Sequence, residues 1–544
     1  MTLSRPVQGL LLVALGAALL LAHARLFDFI CDDAYITFRY ARNLAEHGAP
    51  LYNLDERVEG YTNFLWMILA AALFRAGATV PALVAILGAA SAVLLQWGVW
   101  RVWVQLWPRA RLVALFPLLG VAASVAVACW TLGGLETTLY AALLLWGVDS
   151  VIALARRSSS AAAVNAGVFF ALASLTRPEG VAGMGLALLV LVALRRRAAL
   201  RDALVVVGTA GLILVPFFVW RYSYYGAPLP NTFYLKTSGL GPESWRRGWS
   251  YLVLASRDHF PIAGIAGLLL LVPVRHPPGL DGNELYRARR ALAWIARVFV
   301  LFFLLYAVSV GGDFLPLYRF FVPLVVLGML AGTQGAVLLV ERQHRSPRGR
   351  LVGVLAGVFT LSIFAMQQQR VGHWERTAHR QIVADAGVEY VKFTRTYALR
   401  WGATGRWIAA HARPGDRMAI GAAGAMPYFA GIPSTDVLGL CDAWVARHGD
   451  VNGTRPGHQR HAPLDYTLSK RPVFLFEEDE MSDEAPKDIH YDKNWGPRGY
   501  TWVVVRILES ADKPFFYKFL MRIDRAYDVW TDPDVVAVGY PFGE

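Results

Sequence analysis

The sequence predicts a polytopic α-helical membrane protein of about eleven spans with a C-terminal extracytoplasmic α/β domain. Three observations carry that prediction. The 544 residues are 56% hydrophobic and only 17% charged, whereas a soluble domain carries about a quarter charged residues. Apolar runs near ~20 residues, the length that crosses a bilayer, recur from Val7 to Phe364. From Gln369 onward such runs stop, and charge balances at 22 Lys+Arg against 23 Asp+Glu. The expected domains are therefore 1–368, in the membrane, and 369–544, outside it.

The net charge of +13 belongs to the first part, which holds 31 basic against 17 acidic residues. Most of that excess sits in short loops between apolar runs, as cytoplasmic loops do. A nucleic-acid face would gather the charge on one surface, so nucleic acid is excluded as a partner.

In chain order, the first run, Val7 to Leu26, follows Arg5. Ala22-His23-Ala24 fits a signal-peptide cleavage pattern, but the run is near full span length and an acidic pair, Asp32-Asp33, follows within a few residues. It reads as an uncleaved first span. With Arg5 in the cytoplasm, the acidic pair lies outside. Phe64–Phe74 is too short to cross and, with Trp66, suits an interface. The second crossing is then Pro81 to Trp103. Further crossings follow near 112–130, 136–155, 161–175, 181–194, 203–221, 261–274, 291–310, 319–340 and 351–367. This count puts "RR" at 156–157, "RRR" at 195–197, "RARR" at 287–290 and "ERQHRSPRGR" at 341–350 inside, as the positive-inside rule requires.

Beyond residue 369, "RMAIGAAG" and "TWVVVRIL" read as strands and Val388–Ala410 as helix. "EEDEMSDEAPKD", Glu477 to Asp488, reads as a solvated loop. His448, His458 and His461 fall in loop-like sequence and read as solvent-exposed. "IGAAGAMPYFAG" lacks the P-loop lysine pattern and reads as tight strand-to-helix packing. Cys31, Cys129 and Cys441 give no metal spacing. Cys31 and Cys441 could both lie outside and pair; unpaired small hydrophobes is the preferred reading.

Polar clusters beside apolar spans are costly and mark function. On the eleven-span count they share one face: "CDDAYITFRYARN", "RVEGYTNFLW", "TLGGLETTLY", "LTRPEG", "YYGAPLPNTFYLK" and "GGDFLPLYRFFVP". One outer cavity lined by Asp32, Asp33, Glu59, Glu136, Arg177, Glu179, Asn231, Lys236, Asp313 and Arg319 explains the coincidence. A carboxylate there can act as general base toward a hydroxyl. Arg39, Arg177, Lys236 and Arg319 can hold a phosphate leaving group. Glu59, Tyr61, Asn63, Glu136, Glu179, Asn231 and Asp313 are candidates for contacting sugar or acceptor. Tyr35, Tyr61, Trp66, Tyr140 and Tyr234 can stack on sugar faces or pack at the interface. An N-cap for a helix starting near Ala34 accounts for one aspartate but not both.

Taken together, "DDAYITFRYARNLAEHG", "ERVEGYTNFLW", "GLET", "TRPEG", "PLPNTFYLK" and "GGDFLPLYRFF", with "GAAGAMPYFAGIPSTDVLGLCDAWVAR" and "PGHQRHAPLDY" in the tail, resemble the GT-C glycosyltransferases that use polyprenyl-phosphate sugars. The mycobacterial terminal arabinofuranosyltransferase group is the nearest likeness, and it covers nearly the whole chain. The resemblance implies an inverting transfer from a polyprenyl-phosphate sugar donor, arabinofuranose being one candidate, to a cell-envelope glycan or glycolipid acceptor. It implies an acidic base in the first external loop, matching Asp32 or Asp33 with a lean to Asp32, and short juxtamembrane helices in that loop. Glu59 then contacts the acceptor or the second aspartate. Some members bind a divalent cation; no ligand spacing here decides one, and no metal residues are assigned. The implied location is the bacterial cytoplasmic (inner) membrane, crossed many times, with the active site and tail on the extracytoplasmic side.

Two other classes compete. A transporter or lipid-sugar flippase would place ionisable groups near the midplane in repeated halves. Here they gather at one face without paired halves. A non-catalytic glycan-binding scaffold would keep its activity when both Asp32 and Asp33 become Asn.

Overall fold

The computed structural model describes residues 5–237, 241–259, 267–275, 283–343, 347–378, 382–383, 387–453, 455–486, 489, 492–510 and 513–539. Its first part is helical: α1 (Arg5–Arg25), α2 (Asp32–His47), α3 (Phe64–Arg75), α4 (Val80–Leu106), α5 (Leu115–Ala123), α6 (Val125–Leu132), α7 (Thr137–Arg156) and α8 (Ser160–Thr176). There follow α9 (Glu179–Arg195), α10 (Leu200–Tyr225), α11 (Asn231–Thr237), α12 (Pro242–His259), α13 (Asn283–Ser309), α14 (Val322–Gln343) and α15 (Pro347–Thr377). Among the described residues seven helical stretches are long and apolar enough to cross a membrane, or eight if one bent pair counts as a span. Large apolar side chains face outward from them, Leu212 being 79% exposed, a pattern that lipid explains and water does not.

The expected spans at 112–130, 181–194 and 203–221 look different. The run 112–130 breaks at Ser124, whose extended backbone (φ −68°, ψ 120°) separates α5 from α6 at an angle of 63° while its hydroxyl caps α6. The stretch from Glu179 to Tyr225 is one apolar length interrupted at Arg196–Ala199 by a 3-10 turn, where the three arginines had marked a loop. The crossing expected at 261–274 begins in residues 261–266, outside the described residues. The short segment after Asn63 forms α3, a 12-residue helix.

α15 runs unbroken through the compositional change at residue 369, so the sheet-bearing part starts beyond it. There, α16 (Val391–His411), α17 (Ala425–Ala430) and α18 (Ala443–His448) accompany the strand pair β1 (Ile382–Val383) and β2 (Val388–Glu389). A six-stranded sheet forms from β3 (Met418–Ile420), β4 (Ser434–Asp436), β7 (Phe474–Ser482), β8 (Tyr500–Ser510), β9 (Lys513–Arg522) and β10 (Val535–Val538), in the order β10-β8-β9-β7-β3-β4. A small pair, β5 (Asp450–Val451) and β6 (Arg460–His461), stands apart. β3 is parallel to β4 and β7, and the β8–β9 hairpin pairs Val503 with Phe519.

Alternate side chains go to opposite faces of a strand. Val503, Val505, Tyr517 and Phe519 meet Trp407 and Ile408 of α16, whereas Trp502, Leu520 and Leu475 pack with Val437 on the other side. The acidic run from Glu477 is no loop at its start: residues 477–482 continue β7, because Glu480 and Met481 pair with Lys518 and Tyr517 of β9. Residues 487–488 of that run lie outside the described residues. All three cysteines are free and buried.

Candidate functional site

The adjacent aspartates at the start of α2 serve different walls. Neither caps the helix: Cys31 occupies the N-cap position in extended geometry without a side-chain bond. Both acids lie in the first turn, where the helix dipole favours carboxylates. Successive helical residues diverge by about 100°, which sends the two side chains apart. Far along the chain, Gly133 and Gly134 of "TLGGLETTLY" make room for this start. The Cys31 amide donates to the Gly133 carbonyl at 3.1 Å. Gly134, at φ +89°, comes so close to α2 that a Cβ would sit 2.7 Å from that of Ala34.

Asp32 is buried and held from the C-terminal part. The Ala425 amide donates to its Oδ1 at 2.7 Å. At Gly424 a Cβ would lie 2.3 Å from Oδ2, so no side chain fits there. The glycine-rich turn between β3 and α17, read from sequence as plain packing, thus cradles a carboxylate. Burial pushes the Asp32 pKa up to about 7, the Ala425 amide opposes this, and the neighbouring Asp33 charge adds to it. Asp33 is half-buried and, among the described residues, makes no hydrogen bond or ion pair. Its pKa is also raised by burial, against the nearby Arg319 and Lys236 cations.

Both aspartates open into a cavity of about 330 Å³. Lys236 lines it, carried there by α11. Its ammonium makes no ion pair among the described residues, and surrounding protein followed by the Arg319 guanidinium lowers its pKa. The rest of the lining comes from beyond residue 388. Glu389 is ion-paired with Arg455, and His458 stands edge-on to Phe314 at 5.3 Å. Burial followed by the Arg455 charge drops the His458 pKa to about 4, so its ring is neutral. Phe393, Tyr397, Trp401, Asp479 and Tyr517 complete the far side.

A second group of expected residues forms a closed ionic network behind the cavity. Arg177 donates to Glu136 and to Glu179, both at 3.0 Å. Asn63 donates to Glu136 at 2.8 Å, and the Tyr306 hydroxyl donates to Glu179 at 2.7 Å. Arg319 is ion-paired with Asp313. Arg177, Glu179 and Arg319 line a second, much smaller cavity. Of the four expected phosphate-binding cations, only Lys236 lines the main one; Arg319 reaches Asp33 electrostatically.

Four expected site residues are structural instead. The Arg39 guanidinium donates to the Tyr52 (2.7 Å), Pro427 (2.5 Å) and Ile432 (2.8 Å) carbonyls and to Asn53, leaving no face for a phosphate. Asn231 donates to the carbonyls of Gly439 (2.9 Å), Leu440 (3.0 Å) and Asp442 (3.2 Å). Glu59 is buried against Arg221 at 3.2 Å. Tyr61 is buried between Tyr40 and Tyr225. Each ties the helical part to itself or to the sheet-bearing part.

Sequence reasoning missed Arg455, Glu389, Asp479 and the α16 aromatics, and it placed His458 in solvent. The loop "NGTRPGH" gave a turn signal that could have flagged Arg455; nothing local marks the rest. Among the described residues no three His, Cys, Asp or Glu side chains come together as metal ligands. The described residues thus supply no ready-made protein cage for a divalent cation.

The comparisons agree with this architecture. A family model described as a domain of unknown function (DUF8728) matches residues 381–519. A terminal β-(1→2)-arabinofuranosyltransferase of Mycobacterium tuberculosis is 29% identical over 361 residues, 61% of this chain and 56% of the relative. The chain spans about half the length of the curated relatives it matches. Among solved structures, ArnT from Cupriavidus metallidurans in the apo state superposes with a TM-score of 0.53 at 14% identity, covering 95% of this chain and 98% of that one. The archaeal oligosaccharyltransferase AglB from Archaeoglobus fulgidus, in complex with an inhibitory peptide and a dolichol-phosphate, gives 0.50 at 9% identity, covering 94% and 74%. In fold, the chain is a polytopic GT-C-type membrane protein with a sheet-containing C-terminal part, as its sequence resemblance implied.

Proposed function

We propose that this protein is an inverting glycosyltransferase. It moves a sugar from a polyprenyl-phosphate donor to a hydroxyl of a cell-envelope glycan or glycolipid at the outer face of the cytoplasmic membrane. One observation carries the reading: a carboxylate oriented by backbone amides shares a cavity with a lysine that makes no ion pair among the described residues. The names of the curated relatives favour arabinofuranose as the sugar, and the dolichol-phosphate bound to AglB favours a lipid phosphate as leaving group.

In this reading Asp32 is the base. Its Oδ1 is fixed by the Ala425 amide, and a pKa near 7 suits proton transfer near neutrality. The carboxylate takes the acceptor proton as the hydroxyl oxygen attacks the anomeric carbon from the side opposite the phosphate. The carbon–oxygen bond to phosphate breaks, and its electron pair leaves with polyprenyl phosphate. Lys236 contacts that leaving group directly, with Arg319 and Arg455 adding positive potential. Residues 1–368 supply the base and lysine, and residues 369–544 close the cavity.

The test is a cell-free assay of purified protein with a panel of polyprenyl-phosphate sugars. Polyprenyl phosphate should be released only when acceptor glycan is present. The D32N variant should lose about a thousandfold in kcat while keeping its thermal unfolding midpoint. Equal transfer by D32N, or movement of lipid-linked sugar across vesicles without a new glycosidic bond, would refute the reading.

A further inference from the structure

The cavity lining holds two chemically distinct groups. Its cations, Lys236 and Arg455, stand near Asp33 and Glu389. The second group is aromatic. Phe393, Tyr397 and Trp401 recur every four residues, and so share one face of α16. Their rings touch in series at 4.3 and 5.2 Å between centroids. All three line the cavity and are only half-buried. One turn beyond Trp401 in the same row, Gly405 anchors the helix: it packs so tightly that a Cβ would sit 2.3 Å from the Met426 carbonyl.

A chain of hydrogen bonds stiffens this wall. Trp401 bonds to the Tyr517 hydroxyl, which donates to Asp479. The Asp479 carboxylate is exposed to the cavity, with acceptor capacity left after its bonds from Tyr517 and its own backbone amide. A row of fixed aromatic faces with a hydrogen-bond-accepting acid beside it matches a polyhydroxylated chain: the rings cover apolar C–H faces, and the acid accepts from hydroxyls. Among the described lining residues the cations are Lys236 and Arg455, and Arg455 is already paired with Glu389, so a uronate or phosphorylated sugar lying along Tyr397 and Trp401 meets Asp479 instead.

We infer that Phe393, Tyr397 and Trp401, with Asp479 beside them, form the binding subsite for a neutral oligosaccharide acceptor, leading its terminal hydroxyl toward Asp32. This deepens the glycosyltransferase reading and rests on it for the direction of the acceptor.

Calorimetry on full-length protein in detergent, in the D32N background so that no turnover occurs, tests it with four probes. Three are neutral tetrasaccharides (arabinofuranosyl, galactofuranosyl and mannosyl) and one is tetragalacturonate. At least one neutral probe should bind, tetragalacturonate at least about tenfold more weakly. W401A and Y397A should each weaken the neutral probe about tenfold, W401F by less than about threefold, with dolichyl phosphate affinity unchanged. Failure of all three neutral probes to bind, unchanged affinity in W401A and Y397A, or equal binding of tetragalacturonate would each overturn the inference. The two readings fail separately. Trp401-dependent binding without any transfer by the unmutated protein removes the transferase and leaves the subsite. Transfer whose acceptor KM ignores W401A does the reverse.

Discussion

Arg39 and Lys236 make the instructive contrast. Both are cations beside the aspartate pair in sequence logic, and both looked like phosphate ligands. Arg39 sits on α2 with its fork taken up by three carbonyls and an amide oxygen. Lys236 sits on α11 with its ammonium open to the cavity and no ion pair among the described residues. Saturated hydrogen bonding at a buried cation means a joint between two parts of the fold. An unsaturated cation facing a cavity means that its partner arrives from outside.

That contrast can be broken by two substitutions. R39A leaves the Pro427 and Ile432 carbonyls without their donor and should cost about 3 kcal/mol, seen as a lower thermal unfolding midpoint in detergent. The protein that remains folded should keep its KM for the lipid donor. K236A should do the opposite. Its unfolding midpoint should hold or rise, since a partly desolvated charge is removed, while kcat/KM for the polyprenyl-phosphate sugar falls about a hundredfold. If R39A raised the donor KM with the fold intact, Arg39 would belong to the site after all.

The same contrast explains what could be read in advance. Span-length apolar runs, the short α3 and the strands β3 and β8 were legible because periodicity and length are local properties. Asp32, Asp33 and Lys236 were legible because ionisable groups beside apolar spans stand out. Arg39, Glu59 and Asn231 stood out equally, yet their partners lie far along the chain, at residues 427–442 and 221. Sequence shows the donor but not the carbonyl that occupies it. The α16 aromatics failed for the converse reason: a Phe-Tyr-Trp stripe reads as core until the fold turns it toward a void. Arg247 belongs with them, since it is buried beside Arg455 with Nε and Nη2 unpartnered among the described residues, and no motif announced it.

The smallest expected effect separates the two aspartates. The Asp33 charge holds the Asp32 pKa up, and the base works only when ionised. Transfer should therefore rise with pH through about 7 and fall away below it as Asp32 protonates. D33N removes the like charge, so Asp32 ionises more easily and the acid limb of kcat should move to lower pH by less than about one unit. The neighbouring cations, Arg319, Lys236 and Arg455, stay in place and then act on one carboxylate instead of two. A D33N enzyme that is active with a displaced acid limb leaves the proton with Asp32. A D33N enzyme that is dead at every pH while D32N keeps measurable turnover transfers that role to Asp33, and makes the amide-bound Asp32 the residue that positions it.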